Sequence, residues 1–501
     1  MAYSRPGVYI SERLITAPVA GGVTADAAGA IVAPLAQGPE AVVLVNSWYE
    51  FAKNFGGYNA SYPATFEVAS FFNNGGRELY VKRLLSSDAD PASVDVETSG
   101  GATVFTATSK NKGTDGNNLR VLLTAGTVAS TYTITVLKES GAANNIADDV
   151  VLERYENVVF NDSASSDFAE TVVNLVSANI RISNSASGVP VSGTYPLTGG
   201  SNGTTPVADD YLAYQSTGDS VFEQFASLDR PLVIFLPAIH STLAADIDDV
   251  YNDATEWAES NNGFVVISTD DGKLASEAID FAGSLTDTSN AAVYYPHLYI
   301  ADPLGRGAGA LRKIAPAGAV AGLYLATDAT RGVFKAPAGI GATLTGVVAV
   351  EKAFSSTELD SLNAGTSPVN PIRQIPGSGL AVMGARTLKQ DGTANKYVNM
   401  RRSLIYIRKN LKNLTEFAIF ENNDERLWAR INNNLTVFLN EYRNQGGLRG
   451  ATIGQSFFIK CDAENNSAQQ IANGEVHVQV GVALQYPAEF IVIDLSQKTL
   501  N

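Results

Sequence analysis

Residues 231–269 decide the fold: the runs PLVIFLPAI (231–239) and GFVVIST (263–269) flank the segment STLAADIDDVYNDATEWAESNN (241–262). Both flanking runs are short and almost entirely apolar, which is typical of strands buried on both faces. The segment between them repeats apolar residues at a helical period. Strand, helix and strand at this spacing predict a parallel pair joined by a right-handed crossover.

The same alternation continues on both sides of this unit. Apolar runs that predict further strands are AIVAPLA, AVVLV, ELYVKRLL and AAVYYPHLYIADP, and segments that predict helices are SWYEFAKNF, ATFEVASFFNNGG and PAGAVAGLYLATDATRG. We therefore expect a multidomain chain of the α/β and α+β classes. Its middle domain is predicted to be a doubly wound α/β domain formed by 26–90 and 208–375.

The intervening segment, 91–207, changes in composition. It is rich in Ser, Thr, Gly and Asn, and alternating runs occur at TVFTAT (103–108) and YTITVLK (132–138). FAETVVNLVSANI (168–180) is its one candidate helix, and LTGGSNGTTP (197–206) predicts a loop. This pattern predicts a β-rich inserted domain at the periphery of the molecule.

Residues 376–487 are predicted to form an α+β domain. The stretch 422–447 predicts a long helix, with Asn422 or Asn423 as its N-cap and Gly446 and Gly447 at its end. FFIKC, EVHVQVGVAL and EFIVIDL predict strands. In EVHVQVGVAL one face is predicted to be buried, because alternate residues are apolar.

The helix predicted at 397–414, YVNMRRSLIYIRKNLKNL, has two distinct faces. One is an apolar stripe at the spacing of a buried helical face: Met400, Leu404, Ile407, Leu411 and Leu414. A different face holds five cations: Arg401, Arg402, Arg408, Lys409 and Lys412.

The cations of this helix stand out because the chain as a whole has a formal net charge of −16. Residues 1–379 carry a net charge of −19, residues 380–450 carry +6 and residues 451–501 carry −3. The asymmetry indicates a negative partner for 380–450, although compensation within the fold remains the alternative. Nucleic acid and membrane surfaces fit less well than an acidic protein, since the whole chain would repel phosphate and the apolar stripe is needed for a core.

Length and composition exclude several classes of protein. The chain has 501 residues, which is too long for one compact core and predicts two to four domains. Its single cysteine, Cys461, excludes an internal disulfide and a multi-cysteine metal site. No apolar run reaches the length of a membrane span, and the first residues lack the pattern of a signal peptide.

Evidence for catalysis is weak. GRGAGA (305–310) follows a predicted strand and precedes a predicted helix, so it loosely resembles a glycine-rich phosphate loop, with Asp328 near the distance of a ribose-binding acid. His240, His297 and His477 have no metal-binding spacing, and a Ser–His–Asp triad would have to assemble through space. We expect no cofactor and no metal. An α/β-domain enzyme, hydrolase-like or nucleotide-binding, and a nucleic-acid binder that uses the basic helix remain as alternatives.

The two ends of the chain predict extended arms. Residues 1–25 contain one short strand-like run, Val8–Ile10, followed by a loose tether, and residues 488–501 contain the last predicted strand and a short tail. A single strand on a tether cannot bury itself. It is therefore either disordered or completes a sheet on something else.

Several stretches together resemble the tail sheath proteins of contractile-tailed bacteriophages and related contractile particles. They are RPGVYISE (5–12), PAGAVAGLYLATDATRGVFKAPAG (316–339), GLAVMGARTL (379–388), YVNMRRSLIYIRKNL (397–411), IFENNDERLWARI (419–431), FLNEYRNQGGLRG (438–450) and the segment 461–495. The resemblance does not extend to 91–207, which we expect on the outer surface of a sheath.

The resemblance implies a structural subunit, not an enzyme. Sheath subunits form stacked hexameric rings around an inner tail tube, and contraction drives the tube through the target cell envelope. The implied partners are further copies of the chain, the tail tube protein, and baseplate and tail terminator proteins, without membrane insertion or direct nucleic-acid binding. The implied location is the virion tail, assembled in the host cytoplasm.

The resemblance also implies roles for particular residues. Strand addition between subunits would use Val8, Tyr9 and Ile10 at one end and Phe490, Ile491, Val492, Ile493 and Asp494 at the other. Hinge residues of the first tether would be Gly21, Gly22 and Gly29. The cations at 401, 402, 408, 409 and 412 would include the contacts with the tube, although some of them could instead pair with acids of the same chain.

Overall fold

The computed structural model describes residues 27–140, 148–184, 188–213, 219–243, 245–307, 309–364, 367–389 and 394–489. The predicted strand-addition segments 8–10 and 490–494, and the predicted hinge residues Gly21 and Gly22, lie outside these ranges. Among the helices that are described, none combines the length and apolarity needed to cross a membrane.

Twenty strands and thirteen α-helices lie within the described ranges. The strands are β1 (Ala28–Pro34), β2 (Val43–Val45), β3 (Leu79–Leu84), β4 (Pro91–Glu97), β5 (Thr103–Lys112), β6 (Leu119–Ala125), β7 (Tyr132–Lys138), β8 (Val150–Val158), β9 (Ile180–Asn184), β10 (Gly193–Pro196), β11 (Leu232–Phe235), β12 (Gly263–Ser268), β13 (Ala291–Tyr295), β14 (Leu298–Ala301), β15 (Leu311–Ile314), β16 (Val347–Val350), β17 (Val369–Ile375), β18 (Gly379–Val382), β19 (Phe457–Lys460) and β20 (Gln479–Val482). The helices are α1 (Trp48–Phe55), α2 (Ala64–Asn73), α3 (Ala169–Val176), α4 (Ala208–Leu212), α5 (Ile239–Thr242), α6 (Ile247–Ser260), α7 (Ala275–Ser284), α8 (Ala317–Arg331), α9 (Ser356–Ala364), α10 (Val398–Thr415), α11 (Glu425–Asn444), α12 (Ile453–Ser456) and α13 (Ala468–Ala472).

The largest sheet has the strand order β18-β17-β13-β12-β11-β1-β3-β2. Its six central strands are parallel, and the edge strands β2 and β18 are antiparallel to their neighbours. β11, α6 and β12 form the parallel strand–helix–strand unit that the sequence predicts. Separate apolar clusters cover the two faces: along β1, Ile31 and Ala33 enter one cluster, and Ala30 and Val32 enter the other. Alternation along a strand buried on both faces requires this division.

Gly29 is not part of a hinge, contrary to the sequence expectation. It lies within β1 and pairs with Leu79 of β3 and Val233 of β11. A Cβ at this position would collide with the Phe71 ring and with the Leu79 side chain. A glycine is therefore required here because a neighbouring helix approaches the strand closely, not because the backbone turns.

The GRGAGA stretch, of which all but Ala308 is described, leads into a strand and does not begin a helix. It connects β14 to β15, and these two strands are antiparallel. Asp302 accepts hydrogen bonds from Arg312 at 3.0 and 3.1 Å across the hairpin, and its backbone N–H donates to Ala310 at 2.9 Å. The nucleotide-loop reading is wrong, because a phosphate cradle of that kind needs a helix N-terminus directly after the glycines.

Residues 91–198 contain two antiparallel sheets, with strand orders β4-β5-β9 and β10-β6-β7-β8. The two sheets and α3 share one apolar cluster. Arg83, which is fully buried, connects this unit to the main sheet. Its guanidinium donates to the carbonyls of Leu35 and Lys112 and to the Asn202 side chain, at 3.0, 2.8 and 3.0 Å.

The C-terminal unit consists of α10, α11 and the antiparallel pair β19–β20. Asp424 caps α11 by accepting from the N–H groups of Arg426 and Leu427, so the predicted caps Asn422 and Asn423 are wrong by one or two residues. Gly446, with φ of 88°, follows the end of α11 as predicted. β20 covers only Gln479–Val482, which is shorter than the predicted run.

Candidate functional site

The contact of α10 with the main sheet is built largely from charged and polar side chains. The predicted apolar stripe packs as expected: Met400 and Ile407 are buried in a cluster with Phe438, Leu439 and Tyr442 of α11. The cationic face therefore points the other way. It meets residues that lie one to three positions before three neighbouring parallel strands.

Each of these strands is preceded by one polar residue that contacts α10. Arg401 Nε donates to Asn290 Oδ1 at 2.9 Å, just before β13. Arg408 Nε donates to Asn262 Oδ1 at 2.5 Å, just before β12. The ammonium groups of Lys409 and Lys412 lie 3.0 and 2.7 Å from Asp229, which precedes β11. We call these four cations, with Asp229, Asn262 and Asn290, the sheet-edge contact.

The order of the contacts follows from geometry. Along α10 they run from β13 to β12 to β11, which is the order of these strands in the sheet. The helix therefore crosses the amino-terminal edge of the sheet. Asp229 and Asn262 have positive φ values of 41° and 62°. Asn and Asp are the non-glycine residues that tolerate this conformation most readily.

Electrostatics favour the contact. Partial burial acts to raise the pKa of Asp229, but hydrogen bonds from Lys412 and Lys409 outweigh it, and the net effect lowers the pKa. Asp229 is therefore an anion shared by two ammonium groups. Asn290 also fixes the strands, since its Nδ2 donates to the Gly263 carbonyl at 2.9 Å.

Arg402 lies deeper and pairs with Asp328 of α8. Two parallel hydrogen bonds of 2.9 and 2.5 Å join them, and the side chains are 5% and 2% exposed. The guanidinium carbon lies 4.8 Å from the centre of the Tyr324 ring. Burial raises the pKa of Asp328, and the charge of Arg402 opposes this shift. The pair joins the C-terminal unit to the helix that covers the middle sheet.

The prediction that the five cations of α10 face the tube is therefore wrong for three of them. Arg401, Arg402 and Lys409 are 7%, 4% and 7% exposed, and they bind groups of their own chain. Arg408 and Lys412 are partly exposed but also bind within the chain. Intrachain pairing, the alternative that the sequence left open, describes this helix.

Asp229, Asn262, Asn290 and Asp328 were not predicted as partners of α10. Their position in the sequence was the one feature that could have indicated this role, because three of them lie one to three residues before an apolar run that predicts a strand. Asp328 was noted only as a possible ribose-binding acid.

The groups considered for catalysis are buried or already bonded within the chain. His240 and His297 lie 2.7 and 2.9 Å from the carbonyls of Ser268 and Thr269, and burial lowers the pKa of both imidazoles. Cys461 is buried, which raises the pKa of its thiol to about 11 and makes it a poor nucleophile. His477 contacts Glu475 at 2.8 Å. Among the described residues, no group of three or more His, Cys, Asp or Glu side chains is arranged to hold a metal ion.

Comparison with known families identifies the C-terminal unit. Residues 390–498 match the family model of the phage tail sheath C-terminal domain. The C-terminal unit is thus similar to the C-terminal domain of phage tail sheath proteins. α10, α11, β19 and β20 all lie inside the matched range, so the sheet-edge contact joins the matched C-terminal unit to the rest of the chain.

Curated sheath relatives align over part of the chain. The tail sheath protein of Vibrio phage KVP40 is 24% identical over 184 residues, which is 36% of this chain and 26% of that protein. The tail sheath protein of Salmonella phage ViI is 20% identical over 186 residues, or 37% of this chain and 28% of that protein. The aligned regions thus span about a quarter of the length of these relatives.

Solved sheath structures share the fold along the whole length. The contracted sheath complex of an extracellular contractile injection system, PVC, gives a TM-score of 0.57 at 20% identity and covers 99% of both chains. The contracted helical sheath of the anti-feeding prophage gives a TM-score of 0.59 at 19% identity, and the match covers 99% of this chain and 100% of that chain. A sheath tail protein from Listeria innocua gives 0.60 at 13% identity, covering 93% and 96%.

Proposed function

We propose that the chain is a structural tail sheath subunit that polymerises as stacked hexameric rings around an inner tail tube. Contraction of the polymer would drive the tube through the target cell envelope. The observation that carries the proposal is the match of residues 390–498 to the sheath C-terminal domain. The role is structural and requires neither catalysis nor a cofactor.

Strand addition is the proposed link between subunits. Among the described residues, β19 and β20 form a sheet of two strands, and a sheet of that size is marginal by itself. The strand-like runs at 8–10 and 490–494 are the proposed additions to such a sheet in a neighbouring subunit, with Gly21 and Gly22 as hinge residues of the first tether. Main-chain hydrogen bonds would give the link its strength, at about 1 kcal/mol net for each.

We assign the contact with the tube to α11 in place of α10. Arg426 and Arg430 are exposed and lie one turn apart, and no acidic residue occurs between 426 and 440. Reversal of Arg426 to Glu is expected to reduce assembly on purified tube protein while self-assembly without tube is retained, and Arg430 is left in place because its guanidinium stacks on Phe417 at 4.2 Å. Equal assembly of this variant on the tube would contradict the assignment.

Baseplate and tail terminator proteins are further proposed partners, and the virion tail, assembled in the host cytoplasm, is the proposed location. Residues 91–207 are proposed to face outward. The α/β enzyme and nucleic-acid alternatives gain no support, since the glycine loop is a hairpin and the cations of α10 are engaged within the chain.

Negative-stain electron microscopy of the purified chain, with and without tube protein, tests the proposal. Hollow cylinders or stacked six-fold rings are expected. Uniform small particles at every concentration, with and without tube protein, would overturn it.

A further inference from the structure

The turn between α10 and α11 presents an aromatic ring to solvent. Phe420 is 89% exposed and has a φ of 67°, and its neighbour Ile419 is 36% exposed. A bulky residue in the left-handed region is an outlier, because its Cβ crowds the following carbonyl. Strain combined with an exposed ring indicates a residue that is held for contact with another molecule.

The short segment that carries this ring is acidic. The segment 416–425 contains Glu416, Glu421, Asp424 and Glu425, all exposed, and no Lys or Arg. The preceding Phe417 is already covered, since the Arg430 guanidinium stacks on it at 4.2 Å. The free ring and its acidic surroundings form a projection that we call the Phe420 tip, residues 416–425.

The other end of the same helical pair carries partly or fully exposed cations, and its nearby carboxylate, Glu489, is already paired with Arg386 at 2.7 Å. The Arg449 guanidinium lies 5.9 Å from the centre of the Tyr486 ring, and Tyr486 is 53% exposed. Residues 443–456 contain Arg443 and Arg449 and no acidic residue, and Ile453 is 49% exposed. We call Arg443, Arg449, Ile453 and Tyr486 the basic face. Its exposed aromatic, aliphatic and cationic groups complement a phenyl ring flanked by carboxylates.

We propose that the Phe420 tip of one copy docks on the basic face of a second copy. α11 has 20 residues and is about 30 Å long, so a tip and a face at its two ends do not meet within one chain. A contact between two different surfaces runs head to tail, and it either closes a ring or continues as a helix. The inference rests on the proposed sheath function, to which it adds a specific contact between subunits.

Phe420→Gly separates the assembly role from the folding role. Glycine adopts the left-handed conformation freely, so the thermal midpoint of the monomer is expected to stay the same or rise. Loss of the aromatic contact is expected to raise the protein concentration needed for assembly by about tenfold or more, in sedimentation or electron microscopy. Tyr49→Ala is the matched control, because Tyr49 is another aromatic residue that is 79% exposed; its threshold should equal that of the wild type.

A cysteine cross-link identifies the molecule that binds the Phe420 tip. The only native cysteine, Cys461, is buried, so introduced thiols can be read cleanly. Mixing Phe420→Cys protein with Tyr486→Cys protein under oxidation should give a disulfide-linked dimer that neither variant forms alone. Normal assembly by Phe420→Gly with no cross-link, or a cross-link from position 420 to tube protein instead, overturns the inference while the sheath function stands. Failure of the wild-type chain to assemble overturns both.

Discussion

Removal of one member of the Arg402–Asp328 pair is expected to leave a charge buried without its partner. Asp328→Leu leaves the Arg402 guanidinium in a site where its side chain is 5% exposed, and Arg402→Met leaves the carboxylate 2% exposed. Breaking a buried pair in this way costs about 3–5 kcal/mol of unfolding free energy. Replacing both residues removes both desolvation penalties, so the double variant should recover most of the loss.

Equilibrium unfolding in urea, followed by tryptophan fluorescence, measures these differences. Trp257 of α6 and Trp428 of α11 report on the two sides of the interface. Glu156→Gln serves as the control, because Glu156 pairs with Arg154 at 2.9 Å with side chains 55% and 61% exposed, and it should cost about 0–1 kcal/mol. Single variants that lose no more than this control, or a double variant less stable than both single variants, would refute the reasoning.

Three further variants test other parts of the fold. Burial raises the pKa of Glu67 to about 8 against an opposing hydrogen bond from Ala238, so the folded state keeps a proton that the unfolded state releases. The free energy of unfolding should therefore fall as the pH rises from about 4.5 to about 8. Urea titrations at several pH values measure this dependence, and Glu67→Gln should flatten it. Gly322→Ala would place a Cβ against the Phe71 carbonyl where α8 meets α2, so it should lower the thermal midpoint of unfolding by several degrees. Gly57→Ala is the control, because the space around Gly57 is open, and it should leave the thermal midpoint unchanged. Arg83→Lys keeps the charge but cannot reach the same set of acceptors, so we expect a loss of about 2–4 kcal/mol in chemical denaturation; a loss below about 0.5 kcal/mol would contradict the role of Arg83 in fixing the inserted unit.

The five cations of α10 show what could and could not be predicted from the sequence. Their spacing correctly placed them on one face, opposite the apolar stripe. Their partners lie 74 residues away for Arg402, 111 for Arg401, 146 for Arg408 and 183 for Lys412. A charged face that binds distant parts of its own chain looks the same in sequence as one that binds another protein.

Local patterns determined the types of the elements and their order. Continuous apolar runs such as GFVVIST form parallel strands, and the segment 397–414 with its helical period forms α10. A strand buried on both faces needs a continuous apolar run, and a helix buried along one stripe needs apolar residues at a helical period, so both can be predicted from the spacing of residues. The same patterns misplaced Gly29 and GRGAGA, since a glycine can serve a turn or a close contact equally well.

The sequence by itself determined the mixed α/β character of the chain and the resemblance of its C-terminal segment to a known domain family, because these depend on short-range periodicity and on ordered motifs. Only the tertiary structure decided what each charge binds. It brought Asp229, Asn262 and Asn290 to one edge by aligning three parallel strands, and it left Phe420 in solvent at the end of a helical pair. Such choices depend on which surfaces meet, and contacts between residues far apart in the chain leave no period in the sequence.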